Sequence, residues 1–255
     1  MLVLVPGAGC SSHGDITADS TCGDYLSTQA DTRHAAAARI STDLHANGGG
    51  KPVWGTSLDA ECGSAPDTKL RAYFAAQQAL EVGSVAMEHT INSGDTALVN
   101  TLAYTHGKVR RGEVVVFKAP PTWSAVPATQ FIKRVIATGG DHVVCCDAQQ
   151  RLVINGVSLD EPYIYKDADG NQDPAADRKF NITVPKDRLW VMGDHRSASG
   201  DSLEHYEESS DIQEATITEK SVVGRAFTVF WPVSRAKWLS VPSGFDKIPD
   251  AAAAN

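Results

Sequence analysis

The sequence predicts a mainly β chain in which an antiparallel β-sheet domain follows a small α-helical unit. Three observations carry that expectation. From about residue 79 short β-branched runs alternate with turn residues, the pattern of strands joined by reversals. Asn155-Gly156 stands between Leu152-Val-Ile and Val157-Ser-Leu, and both turn residues tolerate the positive φ that a two-residue hairpin needs. Residues 16–68 instead carry Tyr25, Leu26, Ala30 and an Ala-rich run through Ile40 and Leu44, ended by Gly48-Gly49-Gly50 and Lys51-Pro52, which read as a helix and its stop.

Composition bounds the function. The 255 residues are 42% hydrophobic and 21% charged, near globular averages, which excludes wholesale disorder and a coiled coil. With 31 acidic against 23 basic residues and a formal charge of -8, the chain has no footprint for phosphate backbones, so nucleic acid is not an expected partner. No apolar run reaches the roughly 18–20 residues that span a bilayer.

Taken in order, residues 1–15 include Met1-Leu-Val-Leu-Val-Pro-Gly-Ala-Gly-Cys10. This stretch reads as the end of a secretory leader with a lipid-accepting cysteine, and equally as a first strand or a misplaced start. The five cysteines, Cys10, Cys22, Cys62, Cys145 and Cys146, include no CxxC spacing. In an exported protein Cys22 would pair with Cys62 and leave Cys10 for lipid; in a reducing compartment they would remain free thiols. The helical unit at 16–68 is then either a small disulfide-held module or a plain spacer.

In the β domain the candidate strands are Thr96–Asn100, Glu113–Lys118, Gln130–Ala137, His142–Asp147, Arg151–Ile154, Asn181–Val184, Arg188–Met192 and Val222–Phe230. Cys145 and Cys146, adjacent on one strand, are expected on opposite faces. Asp167-Ala-Asp-Gly-Asn-Gln-Asp173 has its glycine too early, and Arg178 where a calcium loop needs glutamate, so it reads as a solvated turn. The histidines show no metal spacing, and residues 243–255 read as a flexible tail.

The most informative segment is Phe131-Ile132-Lys133-Arg134-Val135-Ile136. On a strand Phe131, Lys133 and Val135 share one face, and Ile132, Arg134 and Ile136 the other. A lysine between apolar neighbours on a buried face loses solvation, and its amine then gives up its proton more readily, as a general base requires. The segment alone equally permits a lysine whose stem covers apolar surface while its ammonium reaches water. Downstream, Asp194, Arg196 and Asp201 could join in an ion-pair cluster that stiffens a Gly-rich loop, and Ser199 could orient a neutral amine. Without context that loop also reads as a solvated turn.

The series Met87-Glu-His-Thr-Ile91, Gly94-Asp95, Arg111-Gly-Glu-Val-Val-Val-Phe117, Phe131-Ile-Lys-Arg-Val-Ile136, Val153-Ile-Asn-Gly156, Glu161-Pro-Tyr163, Met192-Gly-Asp-His-Arg196, Ser199, Asp201-Ser202 and Val223-Gly-Arg225 resembles bacterial type I signal peptidase of the actinobacterial kind. The resemblance runs from about Leu70 to Leu239. It implies a barrel-like antiparallel catalytic domain over residues 70–242. The implied reaction is endoproteolytic removal of signal peptides from secreted preproteins, at the outer face of the cytoplasmic membrane, without metal or cofactor. The implied partners are secretory preproteins and the membrane surface.

By the same resemblance Lys133 falls on the general base of a Ser/Lys dyad. Ser199 falls on the hydroxyl that orients it, and Asp194, Arg196 and Asp201 fall on the supporting loop. In Gly83-Ser84-Val85-Ala86-Met87, Ala86 takes the nucleophile slot and Ser84 the oxyanion position. Alanine has no nucleophilic atom, so in this register the covalent route is closed; a two-residue shift would make Ser84 the nucleophile instead. Val82, Met87, Ile91, Phe131 and Ile132 would line pockets for small residues at the first and third positions before the cut. His195 stands where asparagine is usual and Leu203 where arginine is usual. Leu70–Ala79 holds only the end of the membrane segment that normally precedes the serine motif. Two other readings are a lipid-tethered protein that binds extended peptides without cutting them, and a self-cleaving Ser/Lys regulator, which would want a DNA-binding helix pair ahead of the β domain.

Overall fold

Val114–Lys118 (β3) and Gln130–Thr138 (β4) are rich in β-branched and aromatic residues, which suit a pleated, buried surface, and they pair antiparallel with Val115 opposite Lys133. They are the centre of the sheet that carries the site. The computed structural model describes residues 77–251 other than His106, together with Ser27, and the chain from Gln77 onward is a compact unit. The expected helical unit at 16–68, the leader-like 1–15 and the Cys22–Cys62 pairing lie outside the described residues.

Around β3 and β4 an eight-stranded sheet assembles from Gln77–Glu81 (β1), Thr96–Asn100 (β2), Arg188–Met192 (β9), Ile217–Thr218 (β10), Val222–Trp231 (β11) and Lys237–Trp238 (β12). Its order is β1-β2-β11-β3-β4-β9-β10, with β12 also on β11. A four-stranded sheet of His142–Cys145 (β5), Leu152–Ile154 (β6), Val157–Ser158 (β7) and Phe180–Thr183 (β8) has the order β7-β6-β5-β8. Every ladder is antiparallel. All the candidate strands are present with ends moved by at most two residues. β7 is the second arm of the expected hairpin; β10 and β12 escape a pattern search because two residues cannot show alternation, and β1 because Gln77-Gln-Ala-Leu-Glu81 has no β-branched or aromatic residue. The hairpin turn is as expected, with φ of 49° at Asn155 and 83° at Gly156.

Two helices follow β9: Ser202–Ser209 (α1), capped by Asp201 whose side chain accepts from the Leu203 amide, and Ile212–Ala215 (α2). Three apolar clusters fill the interior. One joins Val82, Met87 and Ile91 to Ile132, so the turn after β1 is anchored on the same strand that carries Lys133.

Three expectations need correction. Cys145 and Cys146 do not sit on opposite faces: β5 ends at Cys145, strand alternation ends with it, and the two sulfurs bond to each other. Residues 243–251 do not form a free tail, because Ser243–Lys247 is a short 3-10 helix with Phe245 and Ile248 buried. The Phe245 ring covers Gly112, where an added Cβ would stand 2.7 Å from it. The Arg111 guanidinium and the Asn155 amide donate to the carbonyls of Ile248 and Pro249. The third correction concerns Gln77–Ala79, read as the end of a membrane segment, which pair with Val99 and its neighbours in β2.

Candidate active site

Lys133 is 5% exposed, and desolvation lowers the pKa of its amine below the ordinary lysine range; the charges of Asp201, Asp194 and Glu204 oppose the shift without reversing it. Its nitrogen lies 5.5 Å from the centroid of the Phe131 ring. Among the described residues no acid forms an ion pair with it. An uncharged amine in an apolar wall has a free lone pair, which is what a proton acceptor needs.

Residue 86 is presented to that amine by the turn between β1 and β2. Val82 N–H donates to Asp95 O and Ile91 N–H to Met87 O, each within 2.8 Å, while buried Val82, Met87 and Ile91 pin the turn from below. Ala86 is buried, and its amide donates to Ser84 Oγ at 3.1 Å. Its carbonyl accepts from the His195 amide at 3.1 Å. Ala86, Ser84, Val82, Phe131, Ile132 and Lys133 share the wall of one cavity of about 310 Å³, which also takes in Leu80, Glu81, Gly83, Gln130, Ala198 and Gly200. Of the expected pocket residues, Met87 and Ile91 are not on that wall. They lie in the core beneath it, packed with Val82, Val99 and Ile132.

Ser199 donates its hydroxyl proton to Asp201 Oδ2 at 2.7 Å. The same carboxylate accepts from the Gly193 amide at 2.9 Å and the Leu203 amide at 3.0 Å. With its one proton committed, the Ser199 oxygen can only accept, so an approaching amine must offer it an N–H. Gly193 makes this crowding possible: a Cβ there would stand 2.3 Å from Ser199 Oγ and 2.4 Å from Ala86 O. Gly193→Ala is therefore expected to push Ser199 and residue 86 apart and to destabilise by about 1–3 kcal/mol. Thermal melting and the lost Ser199 hydroxyl contact in a structure of the variant would check it.

The supporting residues pair differently from the expectation. Asp194, Arg196 and Asp201 are not one ion-pair cluster. Asp194 receives two hydrogen bonds from Arg134, at 2.8 and 2.6 Å, with both side chains buried. Arg196 pairs with Glu161 at 2.5 Å and donates to Gly193 O at 3.0 Å. Asp201 pairs with no cation among the described residues and serves as helix cap and acceptor. The reason is register: β4 pairs with β9 so that Arg134 faces Met192, which brings its guanidinium beside the loop that leaves β9. That guanidinium also lies 4.1 Å over the Tyr163 ring, whose hydroxyl donates to Glu161 at 2.6 Å. Burial raises the Tyr163 pKa and the Glu161 charge raises it further. For Arg134 burial alone would favour loss of the proton, but Asp194 more than offsets it and the net shift is upward.

Arg134, Glu161, Tyr163 and Gly193 are thus functional supports that residue-by-residue reading missed. One signal was available: an arginine inside Ile132–Ile136 needs a buried acid. His195, on the same loop, stacks on Tyr165 at 3.8 Å with Nδ1 3.2 Å from Glu88 Oε2.

The family profile for signal peptidase, peptidase S26 matches residues 69–231. This chain belongs to the signal peptidase S26 family. It is 32% identical over 206 residues to a probable signal peptidase I of Mycobacterium leprae, covering 64% of this chain and 70% of that one. It is also 32% identical over 191 residues to signal peptidase I of Mycobacterium tuberculosis, covering 60% and 65%. Signal peptidase IB of Staphylococcus aureus shares 30% over 165 residues, 60% of this chain and 77% of that one. A crystal structure of a signal peptidase I from Enterococcus faecalis is similar at 26% identity with a TM-score of 0.35, covering 46% of this chain and 96% of that chain. The chain thus spans about two thirds of the length of its mycobacterial relatives. Membership makes it a serine-peptidase-type hydrolase by family, with an antiparallel β catalytic body. Among the described residues no helix is long and apolar enough to cross a membrane.

Proposed function

We propose that this body binds the end of a secretory signal peptide as an extended strand between Leu80–Gly83 and Gln130–Ile132, at the outer face of the cytoplasmic membrane. Its base is intact and its nucleophile is missing. The observation that carries the reading is the shared wall of Ala86 and the buried, unpaired Lys133. A narrow apolar space bounded by Leu80, Val82, Phe131 and Ile132 suits small side chains, and strand-edge hydrogen bonding supplies the remaining recognition.

With a hydroxyl at position 86, the oxygen would attack the scissile carbonyl while Lys133 takes its proton, and Ser199 would hold one amine N–H so that the lone pair faces residue 86. Ser84 would face the developing oxyanion together with the residue 86 amide. Lys133, Ser199, Ser84 and residue 86 carry the reaction, and Asp194, Arg196 and Asp201 hold the loop that supports it. With the methyl of Ala86 the chain binds and does not cut, which is the peptide-binding reading of the same site. The deciding assay compares preprotein cleavage by the unaltered chain, Ala86→Ser and Ser84→Ala. Cleavage only by Ala86→Ser supports the assignment; cleavage by the unaltered chain that Ser84→Ala abolishes would move the nucleophile to Ser84.

A further inference from the structure

The cavity around Lys133 has a neighbour. Ala198 and Gly200 belong to its wall and to the wall of a second cavity of about 530 Å³, which runs along α1. The two cavities adjoin at these residues, and their chemistry differs. The first is lined mainly by small and apolar residues with one carboxylate, Glu81, whereas the second is lined by the carboxylates of Asp177, Asp201, Glu204 and Glu207.

Two guanidiniums face those carboxylates, and both are committed. Arg196 is held by Glu161 at 2.5 Å, and Arg178 by Glu207 at 2.7 Å. Among the described residues Asp177, Asp201 and Glu204 pair with no cation. Glu204 stands at the junction: its Oε2 would lie 3.2 Å from a Cβ built on Gly200. Lys133, 5% exposed and with neither ion pair nor hydrogen bond among the described residues, lines the adjoining first cavity.

We propose that the second compartment receives the residues that follow the scissile bond, and that its carboxylates favour a lysine or arginine at the first or second of those positions. This rests on the reading of the first compartment as the place of the signal-peptide end. A peptide held there in extended form must continue past residue 86 and Lys133, and the second compartment opens on that side, beyond Ala198 and Gly200. Two further residues of extended chain cover roughly 7 Å, enough to carry a side chain across the junction to Glu204. Uncompensated carboxylates in an open cavity attract a substrate cation without demanding its full desolvation, so the preference is modest and salt-sensitive.

The unaltered chain suits the test because Ala86 lets binding be read without turnover. Three fluorescent synthetic peptides would carry alanine at the first and third positions before the bond and lysine, alanine or glutamate at the second position after it. Anisotropy titrations at low salt are expected to rank lysine tightest and glutamate weakest, each step about two- to fivefold in Kd. The spread should narrow as salt rises, and Asp177→Asn combined with Glu204→Gln should remove most of it. Should that double variant fold poorly, the salt series on the unaltered chain decides alone. Equal Kd values for the three peptides would overturn the charge preference and leave the signal-peptide reading standing. Failure of all three to bind would overturn that reading and this inference with it.

Discussion

Replacing Ala86 with serine is expected to switch on preprotein cleavage, raising the rate over the unaltered chain by roughly three to six orders of magnitude. That range follows from serine hydrolases, where loss of the nucleophile costs about 10⁶-fold and oxyanion donors with binding retain roughly 10³–10⁴-fold over water. The gain requires Lys133 to be neutral. Desolvation lowers its pKa from the usual lysine value, so the rate should rise with pH through the folded-state pKa and level off above it, earlier than an exposed lysine would allow. Adding Lys133→Met to the Ala86→Ser chain should return cleavage to background, because methionine fills the space and accepts no proton. Measuring kcat/KM against pH for both chains checks this. A rate that ignores Lys133 would remove the base from the scheme.

The same amine makes a stability statement. Its folded-state pKa is depressed, so between that value and the unfolded value the unfolded chain binds more protons and stability rises with pH. Lys133→Met should therefore stabilise the fold most at low pH, with the gain shrinking as pH climbs toward the ordinary lysine range.

Arg134→Met is expected to be the most damaging single change away from the reacting atoms. The Arg134–Asp194 pair is buried on both sides, and removing one partner strands the other charge in a medium that cannot solvate it, at roughly 3–5 kcal/mol. For a body of this size that corresponds to a fall of about 10 °C in melting temperature. Arg134 also donates to Gly112 O at 2.8 Å, so its loss unties the segment before β3. Asp194→Asn in the same chain should recover part of the loss, because the stranded charge is gone. Calorimetry on the two single variants and the double variant measures the coupling; additive losses would mean that the pair contributes nothing as a pair.

Much of this was legible in advance because strand patterning is local. Phe131–Ile136 alternates, its neighbours are β-branched, and a lysine there has to be buried or snorkel; the structure places it in the buried state. The proposal that Ala86 takes the nucleophile slot likewise comes from the sequence alone. By contrast, the acids around the loop after β9 look interchangeable in the sequence. Asp194, Asp201 and Glu161 each could take either arginine, and only packing assigns them. The burial of Phe245 and Ile248 was invisible for a related reason: what covers them, Gly112 and the hairpin at Asn155, is far away along the chain.

The sequence by itself determined the family, most of the strands and the apolar setting of Lys133, because motif spacing and side-chain alternation depend on neighbours a few residues apart. Tertiary structure alone decided that Arg134 rather than Arg196 holds Asp194, that Met87 and Ile91 lie under the cavity instead of along it, and that an acid-lined cavity adjoins it at Ala198 and Gly200. Those outcomes depend on β4 meeting β9 in one register, and on the free energy of burying charge, which only the assembled fold sets.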